Sequence, residues 1–238
     1  MVFGVQMKRV YRDRVTDSCR DWIPGRVFAD REYHRCTFTN CAISLTRYPK
    51  RRSTLRNLKF LKCEQLNSSV NSAVIEDVLV EDLKTNGLFQ SWAAVFKHVT
   101  LRGKIDNIMF GSVVLTGWAT DVQQRAFDLA NAAYYSTVDW ALDISEAQFL
   151  EADLRGVPGC LVRRDPLTQI LVTREKALQG GWRHLDLTGT YWPVALEFFL
   201  KRGSTDSIVS AAPKRARDFK RLLAGLQLLR EAGVAELD

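Results

Sequence analysis

The chain has no apolar run long enough to cross a membrane. Its most apolar stretch, Tyr191 to Leu200, is half the necessary length and carries Glu197. Lys8 and Arg9 arrive too soon for an apolar signal-peptide core, so the sequence predicts a cytoplasmic protein. Histidine is scarce: His34, His98 and His184 fall in separate parts of the chain, and their spacing gives no reason to expect a shared metal or acid–base site. Cysteine is odd in number, five, with no CxxC pair, which fits reduced thiols better than a disulfide framework. There is no glycine loop to cradle phosphate, no nucleophile elbow and no HExxH. These absences remove the usual grounds for proposing an enzyme, a cofactor or a metal.

What is present is ordinary globular composition with an uneven charge. Of 238 residues, 46% are hydrophobic and 26% charged, enough to bury a core. Residues 1–60 hold 14 basic and 5 acidic side chains, residues 61–160 hold 7 and 13, and residues 161–238 hold 13 and 9. A basic–acidic–basic layout argues against a simple nucleic-acid glove and against a uniformly acidic DNA mimic.

The sequence also repeats. Cys36-Thr37-Phe38-Thr39-Asn40 is followed directly by Cys41-Ala42-Ile43-Ser44-Leu45. The pattern returns at Ala147-Gln148-Phe149-Leu150-Glu151 and Ala152-Asp153-Leu154-Arg155-Gly156. Each unit opens with a small residue and places a large apolar residue two positions later. A chain that turns a corner every five residues would point both inward, with the other three toward solvent. Stacked coils would then supply the backbone hydrogen bonds that one unit cannot. Apolar segments centred near Phe38, Leu58, Leu79 and Val99 recur about every 20 residues, the length of four such sides.

Residues 36–45 and 147–156 resemble the pentapeptide-repeat family, whose units read Ala, Asp or Asn, Leu and two variable positions. The resemblance implies a mainly β fold, a right-handed parallel β-helix of four-sided coils. It implies little about activity, because that fold is a scaffold. Some members of the family resemble DNA and bind topoisomerases, a role that the basic ends here do not suit.

The expected β-helix domain covers residues 1–172, with an N-terminal cap over the first coil and extension through Val113-Val114-Leu115. Arg47 to Thr54 reads as a basic loop pushed out of a coil. Thr120 to Tyr135 reads as an inserted helix (120–135) opened by a Thr120/Gln123 capping box, with Val122, Ala126, Leu129, Ala130 and Ala133 on its apolar face. Ile170-Leu171-Val172 reads as a last strand. Residues 173–238 form an α-helical C-terminal region: Thr173 to Gln179, then Pro193 to Lys201 ended by Gly203, then Pro213 to Arg230 with a stripe of Phe219, Leu222, Leu223, Leu226 and Leu229. This tail is expected to cover an open end of the helix.

His34, Cys36 and Cys41 could be drawn as zinc ligands, but both cysteines occupy the small-residue slot and are expected in the core. Trp92, Trp118, Trp140, Trp182 and Trp192 are available for stacking or core packing. Candidate partner-binding residues are the acidic positions Glu76, Asp77, Glu81 and Asp82 and the basic Arg51 and Arg52; no catalytic residue, metal ligand or cofactor is expected. The leading expectation is a non-catalytic scaffold that binds another protein, most concretely a bacterial immunity or antitoxin-like protein that masks a toxin. The alternatives are a β-helix enzyme acting on polysaccharide or acyl groups, and a nucleic-acid-binding protein.

Overall fold

A computed structural model describes residues 8–114, 119–201 and 206–236; Leu115, Trp118 and Gly203, named above, lie outside these ranges. Among the described residues the protein is mainly β. Thirteen strands join by parallel pairing into one sheet, and helices are few.

The pairing follows the longer sequence period. Lys59 pairs with Leu79, and Leu79 with Thr100. One ladder of register partners runs Arg9, Arg31, Leu58, Val78, Val99, Leu142 and Val162. From Leu58 onward each member is buried. A second ladder stacks Tyr11, Tyr33 and Phe60 with ring centroids 5.1 Å apart at both steps. Parallel pairing in register puts like residues over like, so each strand completes the packing of its neighbours even where the step between them lengthens, as from Arg31 to Leu58.

The five-residue period appears in the backbone. Asn57, Lys62, Asn67, Ser72, Asp77, Asp82 and Gly87 all have positive φ, one at every fifth position. A single left-handed residue between extended runs bends the strand. Gly, Asn, Asp and, to a lesser degree, His tolerate it, whereas Lys62, Arg35 and Ala93 adopt it against preference. Cys36 and Cys41 are buried, and each thiol donates to backbone carbonyls, Tyr11 O and His34 O for Cys36 and Thr16 O and Thr39 O for Cys41. They belong to the core rather than to a metal site.

The insertion is a helix, α1, Asp121–Tyr135, with the capping box between Thr120 and Gln123 in place. Its buried face differs from the expected one. Phe127, Asn131 and Tyr135 point inward, while Val122 and Leu129 are 67% and 74% exposed. The cause is Arg52, whose buried guanidinium donates to Asn131 Oδ1 and Ala93 O and lies 4.9 Å over the Phe127 ring. A polar partner thus chose the face that an alanine-rich stripe obscured.

Residues 1–7 of the expected N-terminal cap lie outside the described residues; beyond them Arg9–Arg12 and Val15–Asp17 are strands of the sheet itself, paired to Val27–His34 and Thr37–Thr39. At the other end, Ile170 to Val172 lie in the strand Gln169–Thr173. It leaves the parallel set and pairs antiparallel with Ser207–Ala211. Helices α2, Arg174–Gln179, α3, Trp192–Lys201, and α4, Phe219–Glu231, pack a second core around Trp192, Leu196, Leu222, Leu226 and Leu229. Thr173 caps α2, and Gly180 ends it in the left-handed conformation. The last helix starts six residues later than expected, at Phe219. Lys214 and Arg215 are held in the preceding turns by Asp165 at 2.7 Å and Asp106 at 2.8 Å. The Arg215 backbone N–H also donates to Phe149 O, and Gln169 Nε2 to Ile144 O, which fastens this region to the final strands.

Candidate functional site

The strand Val74–Trp92 carries all four acidic candidates on its outward side. Asp77 sits at a bend, φ 53°, and so does His98 on the following strand, Val95–Gly111, also at φ 53°. Their neighbours Val78 and Val99 are register partners, which brings the two side chains into one column. His98 Nδ1 lies 3.1 Å from Asp77 Oδ1, and Nε2 lies 2.7 Å from Asp139 Oδ1, 41 residues further along. The hydrogen bond from His98 holds the Asp139 carboxyl below the usual carboxylate range. A carboxylate oxygen thus faces each ring nitrogen, so both nitrogens of His98 are engaged within the protein.

Trp140 completes the site. Its backbone carbonyl accepts from the His98 N–H, its ring lies 4.7 Å from the His98 ring, and the Arg163 guanidinium sits 4.2 Å over it. The result is an imidazole–indole–guanidinium cluster flanked by two carboxylates: His98 and Arg163 stand on strands, while Asp139 and Trp140 lie in the segment between α1 and Leu142–Asp143, tied to the sheet through the Trp140 carbonyl. The His98–carboxylate contacts are largely exposed, so they orient more than they stabilise.

The other acidic candidates are each engaged by the chain itself. Glu76 accepts from the Tyr134 hydroxyl at 3.0 Å, tying α1 to the sheet; burial and the nearby carboxylate push that phenol well above its ordinary range. Glu81 accepts from Arg102 at 2.6 Å. Asp82 accepts from the Lys104 N–H at 2.8 Å and fills the space that a Cβ at Gly103 would take. The basic pair divides. Arg51 is exposed, at the end of the short helical turn Pro49–Arg51, and lies over the Tyr48 ring. Arg52 is buried beneath α1, so it is not presented on a loop, and burial lowers its pKa to about 10.

His98, Asp139 and Arg163 were not among the sequence candidates. His98 and Asp139 are 41 residues apart and meet only because α1 and its flanks fall between them. Of the tryptophans, Trp182 and Trp192 are buried, whereas Trp22, left out of the expected set, is 61% exposed. Among the described residues no group of three or more His, Cys, Asp or Glu side chains is arranged to hold a metal ion. Among the described residues no helix is long and apolar enough to cross a membrane. Comparison with family models, with curated proteins and with solved structures returns no match.

Proposed function

We propose that the parallel sheet winds as a right-handed, four-sided β-helix of the pentapeptide-repeat kind, and that the protein is a non-catalytic scaffold that binds another protein. Two spacings support the winding: parallel partners 20 or 21 residues apart, and left-handed bends at every fifth residue. One observation carries the function. Trp140, held between His98 and Arg163 beside Asp77 and Asp139, presents the residue types that dominate interface energetics on a surface that loses little entropy on binding. An enzymatic role is not favoured, because the histidine in this site is engaged at both nitrogens.

The concrete form of the proposal is an immunity or antitoxin-like protein that covers a toxin's working surface through this stack. The test is affinity capture of the tagged full chain from its own cells at moderate salt, read by mass spectrometry, alongside the Trp140→Ala and Arg163→Ala variants. One stoichiometric protein partner, retained by the unaltered chain and lost from both variants, supports the reading. Recovery of nucleic acid alone, or a partner held equally by all three, refutes it. A partner whose toxicity is not relieved by co-expression removes the immunity role and leaves only binding.

A further inference from the structure

The interior of the sheet contains a cavity of 520 Å³ that reaches from the first strands toward Phe110. Its deep wall is apolar, with Leu55, Leu58, Phe60 and Ile75 among the lining residues. Its volume lies within the range of small-molecule sites, roughly 300–1,000 Å³. At the N-terminal end the wall is the first tier, where Tyr11, Arg14, Val15 and Thr16 line the cavity and Val15 is 72% exposed. Among the described residues the strand Arg9–Arg12 has a neighbour on one side only, and the lining residues Arg14, Val15 and Thr16 at this end are exposed.

The residues at this end break the pattern of the ladders they belong to. Arg31 lines the cavity in register with Leu58 and Val78, and Arg9 is in register with Arg31. Two arginines therefore stand where the same ladder continues as Leu, Val, Val, Leu and Val. Arg14, on another wall, directly precedes Val15, the register partner of Thr37, so it occupies the slot that Cys36 fills one tier deeper. The guanidinium groups of Arg9 and Arg14 make no hydrogen bond or ion pair with any described residue, although the Arg14 carbonyl accepts from the Thr37 backbone N–H. Arg31 lies over the Phe28 ring, with the Tyr33 hydroxyl as its hydrogen-bonding neighbour, and meets no carboxylate. Arg14 and Arg31 line the cavity, Arg9 is in register with Arg31, and none of the three guanidinium groups meets a carboxylate among the described residues; such a cluster beside apolar walls is complementary to a ligand with an anionic head and a hydrocarbon tail.

We infer that this end of the molecule binds one long-chain carboxylate, its chain in the cavity and its head at Arg9, Arg14 and Arg31. Membrane docking is the weaker fit, because an enclosed cavity accommodates a single chain and a bilayer surface would leave it empty. The inference is independent of the Trp140 surface.

The test uses the full chain and a fluorescent polyene fatty acid whose emission rises in apolar surroundings, kept below its micelle concentration. Saturable one-to-one binding is expected, with displacement by a saturated long-chain carboxylate and much weaker displacement by the alcohol of equal length. Arg14→Glu should weaken the acid roughly ten-fold or more and leave the alcohol unchanged. Thr16→Phe, at an exposed lining position, should block both while leaving thermal unfolding intact. No saturable binding, or equal binding of acid and alcohol, overturns the inference. So does carriage of the protein onto anionic vesicles with no one-to-one binding of the free acid. A dimer that Val15→Glu dissolves would assign the open end to a second copy and overturn it as well.

Discussion

Arg52 and Arg51 are neighbours of the same type, and replacing each by alanine should give very different results. Arg52 is 9% exposed and joins Ala93 O, Asn131 Oδ1 and the Phe127 ring. Hydrogen bonds to a charged group contribute ~1.5–3 kcal/mol each, and a guanidinium over an aromatic ring adds ~0.5–2 kcal/mol. Against this stands the desolvation of the guanidinium, several kcal/mol, which its unpartnered Nε leaves incompletely offset. Truncation also strands the buried Asn131 amide oxygen, at a cost of ~1–3 kcal/mol. The balance is a loss of about 2–3 kcal/mol for Arg52→Ala. At ~2–4 °C per kcal/mol for a chain of this size, Tm should fall by ~4–12 °C. Arg51→Ala should stay within ~0.5 kcal/mol, as exposed positions do. Thermal unfolding by circular dichroism measures both. Because the charge itself is costly to bury, Arg52→Met combined with Asn131→Leu should recover most of the loss. Equal melting of the two alanine variants would refute the account of how α1 is held, and failure of the double variant to recover would show that the guanidinium contributes more than a satisfied pair.

Further outcomes follow from the same structure. Leu129→Glu on the outer face of α1 should be nearly neutral, whereas Phe127→Ala, fully buried, should cost ~3–5 kcal/mol in denaturant unfolding. Gly156→Ala should destabilise by ~1–3 kcal/mol, since the new Cβ would lie 2.6 Å from Phe110 O and from Gly111 C, both backbone; a wild-type midpoint would contradict this packing. Glu32, held chiefly by Lys59 and also by His34 and Lys8, has its pKa lowered to about 2. Its stabilisation is therefore complete above the unfolded value near 4.5 and fades as pH falls toward 2, so Glu32→Gln should flatten the acid limb of a urea-midpoint profile. In native protein at mild alkaline pH, a thiol reagent should label exposed Cys160 promptly, while Cys63, whose thiol burial pushes up to about 11, should react only on unfolding.

The features readable in sequence were those set by local chemistry. The small-residue slots at Cys36, Cys41 and Ala147, the capping box at Thr120 and the glycine stop at Gly180 each depend on residues within a few positions. The bends were legible only in part: Asn57, Asn67 and Asp77 carry side chains that favour the left-handed region, whereas Lys62 and Ala93 carry no such signal. The start of α4 was misread because Lys214 and Arg215 look like the polar side of a helix. Asp165 and Asp106, far off in sequence, hold them in a turn. The face of α1 and the Asp77–His98–Asp139 column share one cause: each rests on a polar contact across 41 residues or more, which no period in the sequence encodes.

The excursion that carries α1 departs after Gly111 and rejoins the ladder at Leu142. Gly103 pairs with Ala147, 44 residues on, where Leu58 pairs with Val78 after 20 and Val78 with Val99 after 21, yet the register resumes as if nothing had intervened. The stack thus has a splice point whose two ends are fixed by strand pairing, with the helix between them serving as the cover over Arg52 and Ala93. The entropy of closing such a loop rises only slowly with its length. That makes this the place where the protein can exchange one appendage for another, lengthening or replacing the helix and changing what the surface beside Trp140 offers, while the framework beneath keeps its order.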